Sequence, residues 1–391
     1  MKYSWLGRRY HTIHSKYSNK PRALYDTGLI IVVLVLMILG LMMVASSSVM
    51  IATKYYHQPF YFLLHQFIYI IIGCGAALVV VRVDIRYWEQ WSVPLLLLCC
   101  ILLCLVLVPG IGRIVGGGRR WLAFGPIGIQ VSEIVKMAMI FYVADYIVRQ
   151  RKQFEQSIIG FITPIVVLSV VAFLLLLEPD FGAVVVITST VMAMLFLTNV
   201  KLRYYFGIVL VIGVLLAIIA ISSPYRIARL TAFLNPWADQ FNSGYQLTQS
   251  LIAFGRGGWF GLGLGESVQK LSYLPEAHTD FLFAVLAEEL GLVGVFLVLL
   301  LYSIIVMKGF WIGLRAYARG RFFAAYTAYG ITFWLGLQAA VNIGVNAGML
   351  PTKGLTLPLM SYGGASIVIS CVVIAILLRI DYENRQEYGY R

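Results

Sequence analysis

The sequence predicts an all-α integral membrane protein of ten transmembrane helices, with a large outer (periplasmic) loop between the seventh and eighth. Three observations carry that reading. Of the 391 residues, 60% are hydrophobic and 12% are charged, and mean hydropathy is +0.86; a soluble domain carries about a quarter charged residues. Apolar stretches of the length that crosses a hydrocarbon core of about 30 Å recur near 27–50, 59–81, 93–109, 127–148, 157–177, 181–199, 203–222, 280–307, 324–349 and 362–380. With the N-terminus inside, inner segments hold 20 of the 30 Lys and Arg and outer segments hold 9, the asymmetry that orients membrane proteins.

Residues 1–391 therefore read as one polytopic membrane domain, both termini on the inner, cytoplasmic side. Residues 1–26 form a basic cytoplasmic tail and 381–391 a second tail. The first apolar run is too long for a cleaved signal peptide and no small-residue cleavage site follows it, so it reads as a signal anchor. The formal charge of +13 follows from the inner basic residues and suits anionic lipid; no basic, aromatic-interleaved module is present for nucleic acid. Cys74, Cys99, Cys100, Cys104 and Cys371 all fall in predicted spans and read as packing residues.

The outer segment 223–279 is patterned rather than loose. Ile227, Leu230, Phe233 and Leu234 share a helical face, and so do Leu247, Leu251 and Phe254, with Gln246, Gln249 and Ser250 opposite. Short helices lying in the interface fit this pattern, and Asn235-Pro236-Trp237 and the glycines from 255 to 265 supply turns.

Ionisable groups inside or at the mouths of spans are kept where they face partners, water or ligand. Four constellations qualify. Arg119 and Arg120 precede Trp121 in the outer loop before the fourth span, where an anionic ligand such as a pyrophosphate is one reason for positive charge and snorkelling to headgroups another. Glu133 and Lys136 share a face of the fourth helix. Asp280 stands at the mouth of the eighth helix, where Thr279 or Asp280 suits an N-cap, with His278 beside it and Glu288-Glu289 deeper, within reach of a meeting with Lys136. Finally, Lys353 lies in an irregular Gly- and Pro-rich stretch that continues through Ser361 to Gly364; non-helical backbone at membrane depth survives where it lines a cavity or is buried in protein. All of these gather on the outer side, which suits either an enzyme acting on a lipid-linked anionic substrate or a transporter.

Three long runs carry a resemblance: FLNPWADQFNSGYQLTQSLIAFGRGGW from Phe233 to Trp259, LPEAHTDFLFAVLAEE from Leu274 to Glu289, and LPTKGLTLPLMSYGG from Leu350 to Gly364. Together with Arg120-Trp121, Gln130 to Lys136 and Glu178-Pro179-Asp180-Phe181-Gly182, they resemble the SEDS family (shape, elongation, division and sporulation), and its cell-division branch more than its elongation branch. Val131 stands where that family commonly has proline, and residues 1–24 match nothing in it.

The resemblance implies a peptidoglycan glycosyltransferase that polymerises Lipid II at the outer face of the membrane during septal cell-wall synthesis. The older proposal for the family, a Lipid II flippase, is the alternative. The resemblance implies a class B penicillin-binding protein transpeptidase as partner, with other membrane proteins of the division complex, and a location in the bacterial cytoplasmic (inner) membrane at the septum. Asp280 matches the family's essential carboxylate. Arg120, Lys136, Arg149 and Lys353 match functional basic positions, Arg149 being structural on the inner side. Asp280 is then the expected catalytic base. Arg119, Arg120, Glu133, Lys136, His278, Glu288, Glu289, Lys353 and Ser361 are the expected substrate-binding set, the cations stabilising the leaving pyrophosphate. A divalent cation (Mg or Mn) bridging Asp280 and the pyrophosphate is compatible with this chemistry, although one carboxylate makes a poor dedicated site.

Overall fold

The computed structural model describes residues 24–115, 118–124, 127–151, 158–198, 200–222, 224–352 and 354–386. Each of the ten apolar stretches folds as a helix: α1 (Thr27–Tyr56), α2 (Tyr61–Val80), α4 (Ser92–Leu107), α5 (Val131–Arg149), α6 (Ile158–Leu177), α7 (Phe181–Phe196), α8 (Leu202–Ile221), α11 (Leu282–Ala318), α12 (Phe322–Asn346) and α13 (Gly364–Gln386). Three shorter helices join them: α3 (Ile85–Gln90), α9 (Pro224–Leu234) and α10 (Tyr245–Gly257).

By length and apolarity seven of these can cross a membrane, namely α1, α2, α6, α8, α11, α12 and α13. Helices α4 and α7 are apolar but have 16 residues each. Helix α5 has 19 residues and carries Glu133, Lys136, Asp145 and Arg149. It tolerates them because it sits at the centre: every residue from Val131 to Ile147 except Ile134 is buried. At the other extreme, α8 buries no residue fully: Tyr205, Ile208, Ile212 and Leu216 rest against the core on one face and the rest of its apolar surface turns outward, as in a peripheral helix in lipid.

Local chemistry sets several boundaries. Asp26 caps α1 by accepting from Leu29 N at 2.9 Å, and Asp180 caps α7 by accepting from Ala183 N at 3.1 Å, each satisfying an N–H that the first turn leaves open. Near the end of α5 Arg149 binds Asp145 at 2.7 Å, and Ser92 donates to the same carboxylate at 2.8 Å.

Two expectations are corrected. The segment before α5 is not a plain loop, and the stretch from 127 is not helical throughout. Strands β1 (Gly112–Val115), β2 (Gly118–Phe124) and β3 (Ile127–Gln130) form an antiparallel sheet in that order, pairing Arg113 with Trp121 and Trp121 with Gln130. The run Arg-Arg-Trp-Leu-Ala-Phe suits a strand. Helix α10 packs against protein: Ser250 is buried with Leu247 and Ala253, and its hydroxyl donates to Asn346 O at 2.7 Å. Gly257 makes this packing possible, since a Cβ there would lie 1.9 Å from Ala287 O of α11. Helix α9 keeps its amphipathic character, with Leu234 at 80% exposure and Leu230 and Phe233 half-buried.

The outer segment is also stitched into a broken helix. At Gly291 the backbone of α11 leaves helical geometry (φ 65°, ψ −165°), which orphans the carbonyls of Glu288 and Glu289 and the N–H groups of Leu292 and Val293. The chain from Gly258 to Gly263 replaces all four partners. Leu262 N donates to Glu288 O at 3.0 Å and Gly263 N to Glu289 O at 3.1 Å, while Leu292 N and Val293 N donate to Gly258 O and Trp259 O at 3.0 and 3.1 Å. Buried backbone needs such partners wherever water is excluded.

Candidate active site

Three segments converge at the end of the bundle where α5 and α11 begin: strand β2, the stretch Pro275 to Phe281, and the stretch Pro351 to Gly363. What holds them is a ladder of amides on α12. Gln338, Asn342 and Asn346 are spaced by four residues and so share one face. Gln338 donates to Thr356 O at 3.0 Å, and Asn342 donates to Leu355 O at 2.6 Å. Asn342 and Asn346 both donate to Asp280 O at 2.9 Å. Sequence reasoning missed this ladder, although three amides at helical spacing in an apolar span are a readable signal.

Asp280 precedes α11 and does not cap it. The N-cap is Phe281, which makes no side-chain capping bond, and Thr279 donates instead to Glu276 Oε2 at 2.7 Å. The amide ladder fixes Asp280 by its backbone and leaves its carboxylate facing Gly354, where a Cβ would stand 3.2 Å from Oδ2. Part of its surface stays accessible, yet it sits deep among protein atoms. Burial, reinforced by Glu276 and opposed by Arg229 and Arg120, pushes the Asp280 carboxyl up to about 7. That value suits a group that accepts a proton near neutral pH.

Alternation along β2 sends its two arginines to different elements. Arg120 donates to Glu178 O at 3.1 Å and Pro179 O at 2.7 Å, locking the sheet onto the α6–α7 turn while its charge acts on Asp280. Arg119 donates to Leu107 O at 3.1 Å, at the end of α4. Arg229 on α9 was not foreseen. It donates to Thr352 O at 3.2 Å and its charge also acts on Asp280. Lys353, expected here, lies outside the described residues; of its neighbours, Thr352 accepts from Arg229 and Gly354 faces Asp280.

Glu133 and Lys136 form a buried ion pair at 2.7 Å. Lys136 also donates to Gln338 Oε1 at 2.8 Å and lies 4.8 Å from the centre of the Trp334 ring. The pair therefore connects through Gln338 to Thr356 and the loop that faces Asp280. The expected meeting of Lys136 with Glu288 or Glu289 does not occur. Glu288 binds Arg256 at 3.3 Å, Ser267 Oγ through a short hydrogen bond and Gln269 N at 3.2 Å. Glu289 binds Lys270 at 2.9 Å and Ser46 Oγ at 2.6 Å. Both carboxylates are fully buried and tie the outer segment to α11, because a buried charge must be paired.

His278 and Ser361 shape the loops. The His278 ring centre lies 4.4 Å from Phe62 and 5.6 Å from Tyr362, and its carbonyl accepts from Tyr362 N at 3.0 Å. Burial lowers its pKa, with Glu276 opposing, so the ring is held toward the neutral form. Ser361 is buried, and its hydroxyl accepts from Leu357 N at 3.0 Å. Among the described residues no group of three or more His, Cys, Asp or Glu is placed to hold a metal ion.

A helical membrane protein with a carboxylate raised toward neutral pH by burial, on which two arginine charges act, defines a class: a membrane-embedded enzyme. Comparison with known proteins makes the assignment specific. Residues 26–386 match the family model described as a cell cycle protein that spans FtsW, RodA and SpoVE, and the chain belongs to that family. It is 65% identical over 374 residues to the probable peptidoglycan glycosyltransferase FtsW of Legionella pneumophila, covering 95% of each chain. It is 52% identical over 333 residues to the same protein of Coxiella burnetii, covering 85% of this chain and 90% of that one. Among solved structures it resembles a chain of a peptidoglycan synthase complex that coordinates polymerization and crosslinking, with TM-score 0.77, 27% identity and coverage of 93% and 99%. It also resembles the rod shape determining protein RodA of Thermus thermophilus, with TM-score 0.68, 28% identity and coverage of 93% and 98%.

Proposed function

We infer that this chain is a peptidoglycan glycosyltransferase that extends glycan strands from Lipid II, with a septal role like that of its FtsW relatives. The observation that carries the mechanism is the Asp280 carboxylate, fixed through its backbone by Asn342 and Asn346 and raised to about 7 by burial. A sugar hydroxyl of the acceptor attacks the anomeric carbon of the donor. The new C–O bond forms as the bond to the pyrophosphate oxygen breaks, and Asp280 takes the hydroxyl proton as general base. The leaving lipid pyrophosphate gathers negative charge, which Arg120 and Arg229, whose charges act on Asp280, would stabilise, with Lys353 and Arg119 as further cations for it. No covalent enzyme intermediate is required and no step is routed through a metal.

In this reading Glu133, Lys136, His278 and Ser361 act on the substrate through the loops they hold, and Glu288 and Glu289 through the outer segment. For a transpeptidase of the penicillin-binding class, the outward apolar face of α11 at Val293, Phe296, Leu297 and Leu300 offers a seat for a single membrane helix, these side chains being 53%, 59%, 42% and 56% exposed. Helix α12 is largely enclosed.

Asp280→Asn tests the assignment, because it keeps shape and removes basicity. Polymerisation of purified Lipid II should fall by about 10²–10⁴, the usual worth of a positioned base, while Lipid II still binds. A flippase needs no base there, so transport would survive the change. Normal glycan chains from folded Asp280→Asn protein would overturn the assignment.

A further inference from the structure

We propose that the end of the molecule opposite Asp280 holds the phosphodiester headgroup of an anionic phospholipid, in a cavity between the start of α1 and the last turns of α11. The cavity has a volume of about 330 Å³ and is lined by Asp26, Lys308, Trp311, Ile312 and Arg315. Its size lies within the range of small-ligand pockets, roughly 300–1,000 Å³. The four α11 residues fall at spacings of three and four, which puts them on one face. On the α1 side Gly28 faces them, and a Cβ there would lie 2.9 Å from Lys308 Nζ.

The charges favour an anion. Lys308 binds both oxygens of Asp26, at 2.7 and 3.0 Å, and Arg385 approaches the same carboxylate at 3.9 Å. Asp381 is fully buried and bound by Arg385 at 2.6 Å and by Arg315 at 3.5 Å. Three cations, Lys308, Arg315 and Arg385, thus meet two carboxylates, Asp26 and Asp381, that are already engaged. The excess charge is positive, and the Arg315 side chain is 47% exposed, so a guanidinium edge is presented to the opening. Guanidinium and ammonium N–H groups bind phosphate oxygens well.

The surroundings favour a lipid over a soluble phosphate. Trp311 is 50% exposed, and tryptophan collects at the headgroup level of membranes. Met307 and Leu314 on α11 and Ile31, one turn along α1 from Gly28, are 55%, 49% and 55% exposed. These side chains continue the cavity into the hydrocarbon-facing surface, where acyl chains would follow. Basic pockets between helices at the membrane surface are known to hold such headgroups, and an occupant here would bridge α1 to α11.

Native mass spectrometry of the full chain tests this, after exchange with phosphatidylglycerol or phosphatidylethanolamine of identical acyl chains. Wild-type protein should retain phosphatidylglycerol about tenfold better than phosphatidylethanolamine, and Arg315→Gln should remove that preference, the worth of one charge-assisted hydrogen bond. Millimolar inorganic phosphate should not displace the lipid. Should Arg315→Gln fold poorly by tryptophan fluorescence, Trp311→Leu supplies the second arm, with retention expected to fall while all charges remain. Equal retention of the two lipids, retention unchanged in both folded variants, or displacement by inorganic phosphate would each overturn the proposal.

Discussion

Gly291 and Gly261 touch backbone to backbone: a Cβ on Gly291 would stand 2.3 Å from Gly261 N, and one on Gly261 2.1 Å from Glu289 O. Both residues have positive φ, 65° and 79°, a region that costs other residues about 1–3 kcal/mol. The outer segment and the outer third of α11 are therefore one unit, joined by four backbone hydrogen bonds and by Arg256, Ser267 and Lys270 on Glu288 and Glu289. Gly291→Ala should weaken the protein by more than strain alone, because the inserted methyl also displaces the segment. Thermal unfolding in detergent should show a clear drop, with increased protease cleavage between 258 and 273. Wild-type stability and cleavage would show that this junction bears no strain.

The pair of Glu133 and Lys136 makes a second prediction. Removing one partner of a buried ion pair leaves a lone charge and costs about 3–5 kcal/mol, whereas replacing both is far milder. Lys136→Met and Glu133→Gln should each destabilise strongly, and the double variant should recover most of the loss. Polymerisation should stay low in the double variant, because Gln338 loses the ammonium that helps orient it toward Thr356. A double variant with full activity would reduce the pair to a charge-neutralising device.

The helices were legible because the membrane imposes length and apolarity, and the site segments because charge in hydrocarbon is conspicuous. The sheet was not, since three glycines at 116–118 read as a plain loop and its strands have four to seven residues. Arg229 escaped because nothing in the order of residues shows that α9 turns back to Thr352. Glu288 and Glu289 were expected among the substrate-binding groups, but both are buried, and their partners, Arg256 and Lys270, lie in a segment whose docking depends on a helix break. Sequence marks the charge, and the fold chooses its partner.

Glu178 should set part of the stability–pH profile. It is fully buried, and neither carboxylate oxygen has a hydrogen-bond partner among the described residues. Burial, with Asp180 adding and Arg120 opposing, pushes it from 4.5 to about 8. Its folded pKa lies above its unfolded value, so its contribution is fully present below pH 4.5 and is lost as pH rises through about 8. Glu178→Gln should flatten that decline and be the more stable protein above pH 8. Unfolding temperatures from pH 5 to 9 that fall in parallel for both proteins would reject this.

The last prediction concerns the pH dependence of polymerisation. A general base works ionised, so the rate at low substrate should rise about tenfold per pH unit below the pKa of Asp280, then level off, with the bend near 7. Its neighbours should move that bend in opposite directions. Glu276 raises the Asp280 pKa, so Glu276→Gln should bring the bend to lower pH. Arg229 lowers it, so Arg229→Gln should carry the bend to higher pH and also reduce the plateau, because a cation for the pyrophosphate is lost. A merely structural Arg229 would change the plateau and leave the bend in place. Profiles of both variants that superimpose on the wild type would separate Asp280 from the titration that controls the rate.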